Sequence, residues 1–257
     1  MEIHKALIKD SKWYDYPEVY SIFSNAEDKN QICIKIIKEY IKDNKLEITN
    51  PTDLGTGTAK LYEQLLKDTN YNGNIYLIES NCFMNDYLKT KYKNEINIVQ
   101  TSIEDFDLKN NKSNFIISSF GFPSTLFNKD KCLKELKNVY KNLLEDGIFI
   151  TIGWNEKWND ELNNLWKKYI CDNSKKEITT PRNCNLSWYK NDIKTTLEFN
   201  NIDERDYVLY SLFGEDAEND YKDSNKLKWD MLMGITINTK KELNKIIREL
   251  ELTNERN

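Results

Sequence analysis

Histidine is nearly missing from this chain, whose 257 residues include one histidine, His4. A single histidine excludes a metal site built from several histidines, and it leaves only His4 for a catalytic triad. His4 lies in a terminal segment, and such segments are more often frayed than catalytic. We therefore expect any proton removal to depend on a tyrosine, a carboxylate or water.

Long apolar runs are missing as well. No stretch approaches the ~18–20 apolar residues that a membrane-spanning helix needs. The amino-terminal residues 1–5 are not followed by the apolar segment of a secretion signal. These absences predict a cytoplasmic protein that has no membrane partner.

The cysteines show no pairing pattern. The five of them are widely spread and form neither a Cys-x-x-Cys pair nor the spacing of a zinc site: Cys33, Cys82, Cys132, Cys171 and Cys184. We expect them to be reduced thiols, as is usual in the cytoplasm.

An excess of positive charge is also missing, because 37 basic side chains face 42 acidic ones and the net charge is -5. Nucleic-acid-binding proteins usually show a basic footprint, so a nucleic-acid partner is disfavoured. Aromatic residues are plentiful, with 15 Tyr, 10 Phe and 6 Trp. Disordered chains are poor in aromatics, so this composition predicts a folded protein.

Short apolar runs alternate with amphipathic stretches, which is typical of an α/β fold with a parallel sheet. Ser24 and Glu27 have the spacing of a capping box, which predicts that a helix begins there. Pro51 cannot donate a ladder hydrogen bond, so the first strand is expected to be short or to begin near Thr52. The predicted strands are 46–54, 74–79, 96–101, 115–120 and 147–154, and the predicted helices are 25–42, 57–68, 82–92, 129–144 and 158–171.

The last third of the chain is less regular. A helix is predicted to begin at Ser187 and to run to about residue 199. Strands predicted at 206–213 and 229–237 would form an antiparallel hairpin at the sheet edge, and the polar segment 214–228 between them is predicted to be a surface loop. A final helix is predicted to begin at the capping box of Thr239 and Glu242.

The most informative segment is the turn Asp53-Leu54-Gly55-Thr56-Gly57-Thr58-Ala59, which follows a predicted strand and opens a predicted helix. Gly55 permits a tight turn, and Gly57 lets a ligand approach the backbone where a Cβ would otherwise intervene. Glu79 ends the next predicted strand, where a carboxylate can accept hydrogen bonds from two ribose hydroxyls.

Two other interpretations of this turn stay open at this point. It could be a tight connection without a ligand, or it could belong to a dinucleotide fold. The dinucleotide fingerprint is Gly-x-Gly-x-x-Gly, whereas here the third small residue comes one position too early. Asp53 would also repel a pyrophosphate, although it suits a ligand with an ammonium group.

The turn and the strand that ends at Glu79 resemble motifs I and II of the class I S-adenosylmethionine-dependent methyltransferases. The resemblance covers residues 45–155 well and the rest loosely. It implies an α/β, Rossmann-like, seven-stranded and mostly parallel sheet with an antiparallel edge hairpin and helices on both faces. It also implies S-adenosyl-L-methionine as cofactor, with residues 1–44 as an amino-terminal helical arm or lid and 45–257 as the methyltransferase domain.

The resemblance implies a role for each matching position. The glycine-rich turn would hold the methionine half of the cofactor, with Asp53 serving its amino group, and Glu79 would bind the ribose. Ser80 and Met84 would flank the adenine. Motif III has Ser102 in place of the usual Asp, so Ser102, Glu104, Asp105 or the backbone of Ile103 would contact the adenine. The implied cofactor-binding residues are Asp53, Gly55, Thr56, Gly57, Glu79, Ser80, Ser102, Ile103 and Ser119.

The acceptor is expected to be a small molecule. The Asn/Asp-Pro-Pro-Tyr motif of amino-methylating DNA enzymes and the Pro-Cys pair of cytosine-C5 enzymes are both absent after the fourth strand, where the sequence is Ser118–Pro123. The magnesium site of catechol-type enzymes has no clear match either. An RNA- or protein-directed methyltransferase and a non-catalytic nucleotide-binding module are the alternatives.

Methyl transfer from a sulfonium is an in-line displacement in which positioning supplies much of the acceleration. The candidate residues for proton removal are Tyr14 and Tyr16 of an aromatic amino-terminal arm and Glu156, just past the fifth strand. Ligands of such sheets bind at the carboxyl ends of the strands, which places Trp154 and residues 120–122 near the pocket. For each of these residues, ordinary packing or a solvated surface position is the alternative.

Overall fold

A seven-stranded sheet forms the centre of the protein in a computed structural model that describes residues 16–93, 95–123, 129–155, 161–171 and 184–254. The strands are β1 (Ile48–Thr49), β2 (Thr52–Leu54), β3 (Tyr71–Asn72), β4 (Tyr76–Glu79), β5 (Asn97–Gln100), β6 (Ser113–Ser119), β7 (Leu143–Trp154), β8 (Trp188–Glu198) and β9 (Lys228–Thr239). The order in the large sheet is β5-β4-β2-β6-β7-β9-β8, and β1 pairs separately with β3.

The direction of the strands divides the sheet into two parts. Five adjacent strands are parallel to one another: β5, β4, β2, β6 and β7. Strand β9 is antiparallel to both β7 and β8. The carboxyl ends of the parallel strands therefore meet at one edge of the sheet, where ligands bind in open α/β folds. The predicted Rossmann-like, mostly parallel sheet with an antiparallel edge pair is confirmed.

Helices cover both faces of this sheet. They are α1 (Pro17–Ala26), α2 (Ile32–Asp43), α3 (Lys60–Gln64), α4 (Cys82–Tyr92), α5 (Lys129–Asn142), α6 (Glu161–Trp166), α7 (Ile202–Phe213), α8 (Glu215–Tyr221) and α9 (Lys240–Asn254), with a 3₁₀ turn at Leu66–Asp68 and a π turn at Lys167–Cys171. Among the described helices, none has the length and apolar character of a transmembrane segment.

The strand alternation produces two hydrophobic cores. Phe115 and Ile117 of β6 point into the core that also receives residues of α1 and α2. Ile116, between them, points into the opposite core, which contains Leu136 of α5 and Leu243 of α9. Alternate side chains of a strand face opposite sides of a sheet, so a strand buried on both faces is apolar throughout.

The helix predicted at 25–42 is two helices, α1 and α2, and this prediction was wrong. The backbone between them turns with positive φ at Asp28 (44°) and Gln31 (55°), which interrupts the helix. The Asp28 carboxylate accepts two backbone N–H bonds of α2 at 2.9 Å and caps that helix. Ser24 therefore lies inside α1 and Glu27 follows its end, so the two residues do not form a capping box.

The helix predicted from Ser187 to about residue 199 is strand β8 instead. Its residues Ile193, Thr195 and Leu197 are buried at a spacing of two, and Lys194 is exposed, although Thr196 is buried as well. That alternation belongs to a strand, and it outweighs the good N-cap residue at Ser187.

Residues 206–213, predicted as a strand, belong to helix α7, and 214–228 contains the short helix α8 as well as loop. The side chain of Asn201 accepts a hydrogen bond from the N–H of Glu204 at 2.9 Å and caps α7. The antiparallel pair at the sheet edge is therefore formed by β8 and β9, which are joined through α7 and α8 and not by the short connection that was predicted. The aromatic and branched residues of α7 favour strands by composition, and their burial against the core keeps them helical.

Two local predictions are confirmed. Strand β2 begins at Thr52, directly after Pro51. Helix α9 begins after a capping box in which the N–H of Thr239 donates to Glu242 Oε2 at 2.7 Å and the N–H of Glu242 donates to Thr239 Oγ1 at 3.3 Å.

The expectation of reduced thiols is corrected at one pair, because Cys132 and Cys184 form a disulfide. The two residues are 52 positions apart, and the packing of α5 against the segment before β8 brings their Cα atoms to 6.5 Å. Sequence spacing carries no information about such a long-range approach. Cys33 is a buried free thiol and Cys82 is an exposed one.

Candidate functional site

A cavity of about 470 Å³ opens at the carboxyl ends of the parallel strands. Its walls come from the loops after β2, β4, β5, β6 and β7 and from helix α1. One end is polar and is lined by Glu79, Ser80, Asn81, Met84, Ser102 and Ile103. The other end is aromatic and is lined by Tyr20, Phe23, Glu27, Phe120 and Trp154.

Glycines connect the two ends. Gly55 and Gly57 have backbone φ angles of +65° and +54°, which residues other than glycine rarely adopt. A Cβ on Gly55 would lie 2.9 Å from the Cα of Gly121, and a Cβ on Gly57 would lie 2.5 Å from Cε1 of Tyr20. The turn after β2 therefore contacts both the loop after β6 and helix α1 as closely as backbone allows.

Glu79 is a buried carboxylate with a fixed orientation. Its Oε2 accepts a hydrogen bond from the N–H of Gly57 at 2.8 Å, and its Oε1 accepts one from the N–H of Asn81 at 2.8 Å. Each oxygen keeps further acceptor capacity, because an ionised carboxylate offers about four lone-pair sites. The side chain is thus held in place to accept hydrogen bonds from a ligand in the cavity.

Asp53 lies outside the lining of the large cavity. It lines a small pocket together with Tyr20, Thr56 and Ser119. The hydroxyl of Thr56 donates to Asp53 Oδ2 at 2.6 Å, whereas Oδ1 is buried and has no hydrogen-bond partner among the described residues. Burial raises the pKa of Asp53 to about 7; the Thr56 hydrogen bond lowers it and the charge of Glu79 raises it.

The segment after β5 closes the polar end of the cavity. Ser102 lines it, and its hydroxyl donates to Asp105 Oδ2 at 2.7 Å. Ile103 is buried in the wall. Glu104 instead forms an ion pair with Lys131, with 3.7 Å between Nζ and Oε2. Of the candidates for adenine contact, Ser102 and Ile103 therefore line the cavity, while the Asp105 carboxylate holds the Ser102 hydroxyl.

The residues predicted to remove a proton are not brought together by the described structure. Tyr14 and Glu156 lie outside the described residues. Tyr16 precedes helix α1 and packs beside Val19 and Tyr207, away from the cavity lining. Tyr20, one helical turn further on, lines the cavity instead.

The aromatic residues predicted at the strand ends divide into two groups. Phe120 and Trp154 line the cavity in an edge-to-face contact, with 5.4 Å between ring centroids. Phe122 is buried in the core against Phe149, with 5.1 Å between centroids. Phe120 has a φ of +56°, and such strained backbone concentrates at functional sites.

Glu27 is a cavity residue that the sequence did not reveal. It follows the end of α1, is 6 % exposed and lines the aromatic end. Burial raises the pKa of Glu27 to about 7, while Lys60 lowers it and Asp28 raises it. Its spacing from Ser24 imitated a capping box, and no local signal distinguished the two roles.

Within the described residues, no group of three or more His, Cys, Asp or Glu side chains is arranged to hold a metal ion. A family model described as a methyltransferase domain matches residues 48–201, which is more than half of the chain. The chain belongs to this methyltransferase family. The expected enzyme class, a class I S-adenosylmethionine-dependent methyltransferase, and its cofactor are confirmed.

Solved structures similar to this methyltransferase include DesVI of Streptomyces venezuelae, which is 18 % identical over 54 % of this chain and 57 % of its own, with a TM-score of 0.45. The CcbJ methyltransferase of Streptomyces caelestis is 16 % identical over 61 % of this chain and 53 % of its own, with a TM-score of 0.39. The chain spans little more than half the length of these two proteins. An S-adenosylmethionine-dependent methyltransferase of Clostridium acetobutylicum is 15 % identical over 97 % of this chain and 85 % of its own, with a TM-score of 0.44. No curated protein matches the sequence.

Proposed function

We propose that this methyltransferase transfers a methyl group from S-adenosylmethionine to a small-molecule acceptor held at the aromatic end of the cavity. The cofactor, when bound, supplies an electrophilic methyl group on a sulfonium. The observation that carries the proposal is one cavity of about 470 Å³ that joins Glu79 to Trp154. Its size lies in the range of roughly 300–1,000 Å³ that is typical of small-ligand sites.

Two carboxylates fit the cofactor, Glu79 at the polar end and Asp53 in the small pocket beside the cavity. Glu79 is fixed by two backbone N–H groups and keeps acceptor capacity for ribose hydroxyls. Asp53 Oδ1 is a buried acceptor without a partner among the described residues, and an ammonium group would satisfy it. Gly55 and Gly57 of the turn between them line the cavity, and the ring of Tyr20 lies against Gly57. Ser80, Ser102 and Ile103 would then surround the adenine.

The aromatic end is suited to orient an acceptor and to exclude water. Phe23 and Tyr20 come from helix α1, while Phe120 and Trp154 come from the ends of β6 and β7. Apolar walls with a few placed polar groups are typical of small-ligand sites. Holding two reactants in line supplies a large share of the acceleration of a displacement reaction.

Residues 1–44 would act as an arm over the domain of 45–257. Helix α1 is attached to the segment after β2 by a contact of 3.4 Å between Ser24 Oγ and Thr58 Oγ1 and by a hydrogen bond from Lys60 Nζ to the carbonyl of Glu27. These contacts support an arm that forms one wall of the acceptor site.

The test combines binding and transfer. Calorimetric titration of the protein with S-adenosylmethionine is expected to show micromolar affinity, and its absence would favour a non-catalytic module. Methyl-tritiated cofactor is then incubated with the protein and a cell extract divided into RNA, protein and low-molecular-weight fractions. Label is expected in the low-molecular-weight fraction, and label confined to RNA or protein would overturn the proposal.

A further inference from the structure

The Glu27 carboxylate lies at the aromatic end of the cavity, where the charge of Lys60 acts on it without a direct ion pair among the described residues. The backbone of Glu27 forms two hydrogen bonds. Its N–H donates to the carbonyl of Phe23 at 3.0 Å, and its carbonyl accepts from Lys60 Nζ. Its side chain lines the cavity, is 6 % exposed and forms no hydrogen bond or ion pair within the described residues. Because burying an unpaired carboxylate costs free energy, the site points to a ligand that supplies donors.

The backbone at Glu27 is held by bonds on two sides. The Lys60 bond ties Glu27 to the helix after the glycine-rich turn. The next residue, Asp28, donates its N–H to the carbonyl of Thr196 at 3.0 Å and accepts the hydroxyl of Thr195 at 2.6 Å. These bonds hold the backbone that carries the carboxylate before a ligand arrives, and such preorganisation increases affinity.

The surroundings of the carboxylate are aromatic. Tyr20, Phe23, Phe120 and Trp154 line the same end of the cavity. Aromatic faces attract cations, and a buried carboxylate beside them adds a charge of the opposite sign. Of the described lining residues Lys131 is the one cation, and it pairs with Glu104 at 3.7 Å at the polar end. Aromatic walls with one unpaired anion select a cationic ligand.

We infer that the methyl acceptor is an amine and that Glu27 binds its ammonium form and takes one proton from it. This inference rests on the proposed function and names its substrate class. In the step, one N–H bond of the ammonium breaks and its electron pair stays on nitrogen as a lone pair. The proton forms an O–H bond with the Glu27 carboxylate, so the amine becomes a neutral nucleophile and no further reactant is needed.

The charges around Glu27 are consistent with this exchange. Burial raises the pKa of this carboxyl to about 7, so it can both ionise and accept a proton near neutral pH. Lys60 opposes this shift and Asp28 adds to it. The charged and titratable groups on the elements around it are Tyr20, Asp28, Cys33, Asp53, Lys60, Glu79 and Lys131.

The experiment measures binding to the full chain saturated with S-adenosylhomocysteine. The probes are benzylamine, cyclohexylamine and glucosamine, each paired with the alcohol that replaces its amine: benzyl alcohol, cyclohexanol and glucose. Titrations in two buffers of different ionisation enthalpy measure the proton released when an ammonium binds and ionises Glu27. At least one amine is expected to bind ten-fold or more tightly than its alcohol, with affinity rising as pH rises through about 7.

The matched variants are Glu27→Gln, which replaces the cavity carboxylate just after α1, and Glu18→Gln, which replaces an exposed carboxylate in the first turn of α1. Glu27→Gln is expected to abolish the amine preference and the proton release, and Glu18→Gln to keep both. Benzyltrimethylammonium, which has no proton to lose, separates attraction to the charge from proton transfer. It is expected to bind Glu27→Gln at least five-fold more weakly than the parent protein.

Three outcomes overturn the inference. One is the absence of any amine preference across the panel. Another is an amine preference that survives in Glu27→Gln. The third is a loss of S-adenosylhomocysteine affinity of ten-fold or more in Glu27→Gln, because the carboxylate would then serve the cofactor. Cofactor affinity is measured in the same titrations, so failure of the proposed methyltransferase activity is distinguished from failure of the amine assignment.

Discussion

Two buried carboxylates face the same cavity and differ in how the protein holds them. Glu79, at the polar end, accepts two backbone N–H bonds of 2.8 Å. Glu27, at the aromatic end, has no hydrogen bond on its carboxylate within the described residues, and burial raises its pKa to about 7. The two backbone bonds orient the Glu79 carboxylate, whereas the Glu27 carboxylate is left to exchange a proton.

The difference corresponds to two tasks. A ribose presents neutral hydroxyls, and a carboxylate held in one orientation is suited to accept hydrogen bonds from both of them. An acceptor molecule that arrives charged and must leave its proton behind needs a carboxylate that titrates near neutral pH. The following experiments test this contrast.

The largest effect is expected from Glu79→Ala. Hydrogen bonds to a charged group contribute about 1.5–3 kcal/mol each, so losing two ribose bonds weakens S-adenosylhomocysteine binding by roughly 10²- to 10⁴-fold. Calorimetry measures this loss. Glu95→Ala, which removes an exposed carboxylate, is the control and should bind as the parent does. Equal losses in Glu79→Ala and Glu95→Ala would show that Glu79 does not contact the ribose.

The part of the site around Glu79 could be predicted from sequence, because its geometry is local. The strand ending in Asp53, the turn over Gly55 and Gly57 and the strand ending in Glu79 lie within one βαβ unit, and their residue types have fixed uses there. The part around Glu27 could not be predicted. Its placement depends on Lys60, 33 residues away, and on the distant strand β8, and neither contact leaves a periodic pattern.

The same difference between local and long-range determinants explains why strand β8 and helix α7 were predicted wrongly. Strand β8 and helix α7 belong to the part of the fold where strand order and burial decide the conformation. In α7 an aromatic, branched composition is overruled by packing against the core. In the first half of the chain, the apolar runs predicted as strands at 74–79, 96–101 and 115–120 coincide with β4, β5 and β6.

A second effect concerns stability and pH. Asp53 and Glu27 both have folded-state pKa values of about 7, above the ~3.9 and ~4.3 of an unfolded chain. Between these values the folded state binds more protons, so the free energy of unfolding falls as pH rises from about 4 to about 7 and then levels. The decrease is expected to be on the order of 4 kcal/mol for each group.

Urea denaturation of the cofactor-free protein between about pH 5 and pH 8 measures this dependence. Asp53→Asn and Glu27→Gln should each flatten the decline, and the double variant should remove most of it. Glu18→Gln, an exposed carboxylate on α1, should keep the full slope. A parent protein whose stability rises through this pH range would contradict the assignment of both groups.

A smaller effect is expected where the two ends of the cavity meet. In Gly57→Ala the new Cβ would lie 2.5 Å from Tyr20 Cε1, and the residue would keep a φ of +54°. Gly214→Ala also has a positive φ, +87°, yet its Cβ would have no atom within 4 Å. Each variant pays backbone strain of roughly 1 kcal/mol, and the Tyr20 contact adds about 1 kcal/mol to Gly57→Ala.

Thermal unfolding of the two glycine variants isolates that contact. Tyr20→Ala, combined with Gly57→Ala in a double-mutant cycle, should recover the added loss, because the ring that blocks the Cβ is gone. If the stability losses of Tyr20→Ala and Gly57→Ala were simply additive, the Gly57 Cβ would not meet Tyr20. Helix α1 would then not close on the turn, and the aromatic end of the cavity would lose one wall.

The smallest effect is expected at Ser102. Its hydroxyl donates to Asp105 Oδ2 at 2.7 Å on an exposed segment, so it orders the loop while Ile103 forms the wall. Water can replace this bond, and Ser102→Ala should change S-adenosylhomocysteine affinity by less than about three-fold and stability by about 0.5 kcal/mol or less. Ser187→Ala, an exposed serine outside the cavity lining, is the matched control. A ten-fold loss confined to Ser102→Ala would instead mean that the Ser102 hydroxyl contacts the cofactor directly, and the polar end would then depend on a second fixed group besides Glu79.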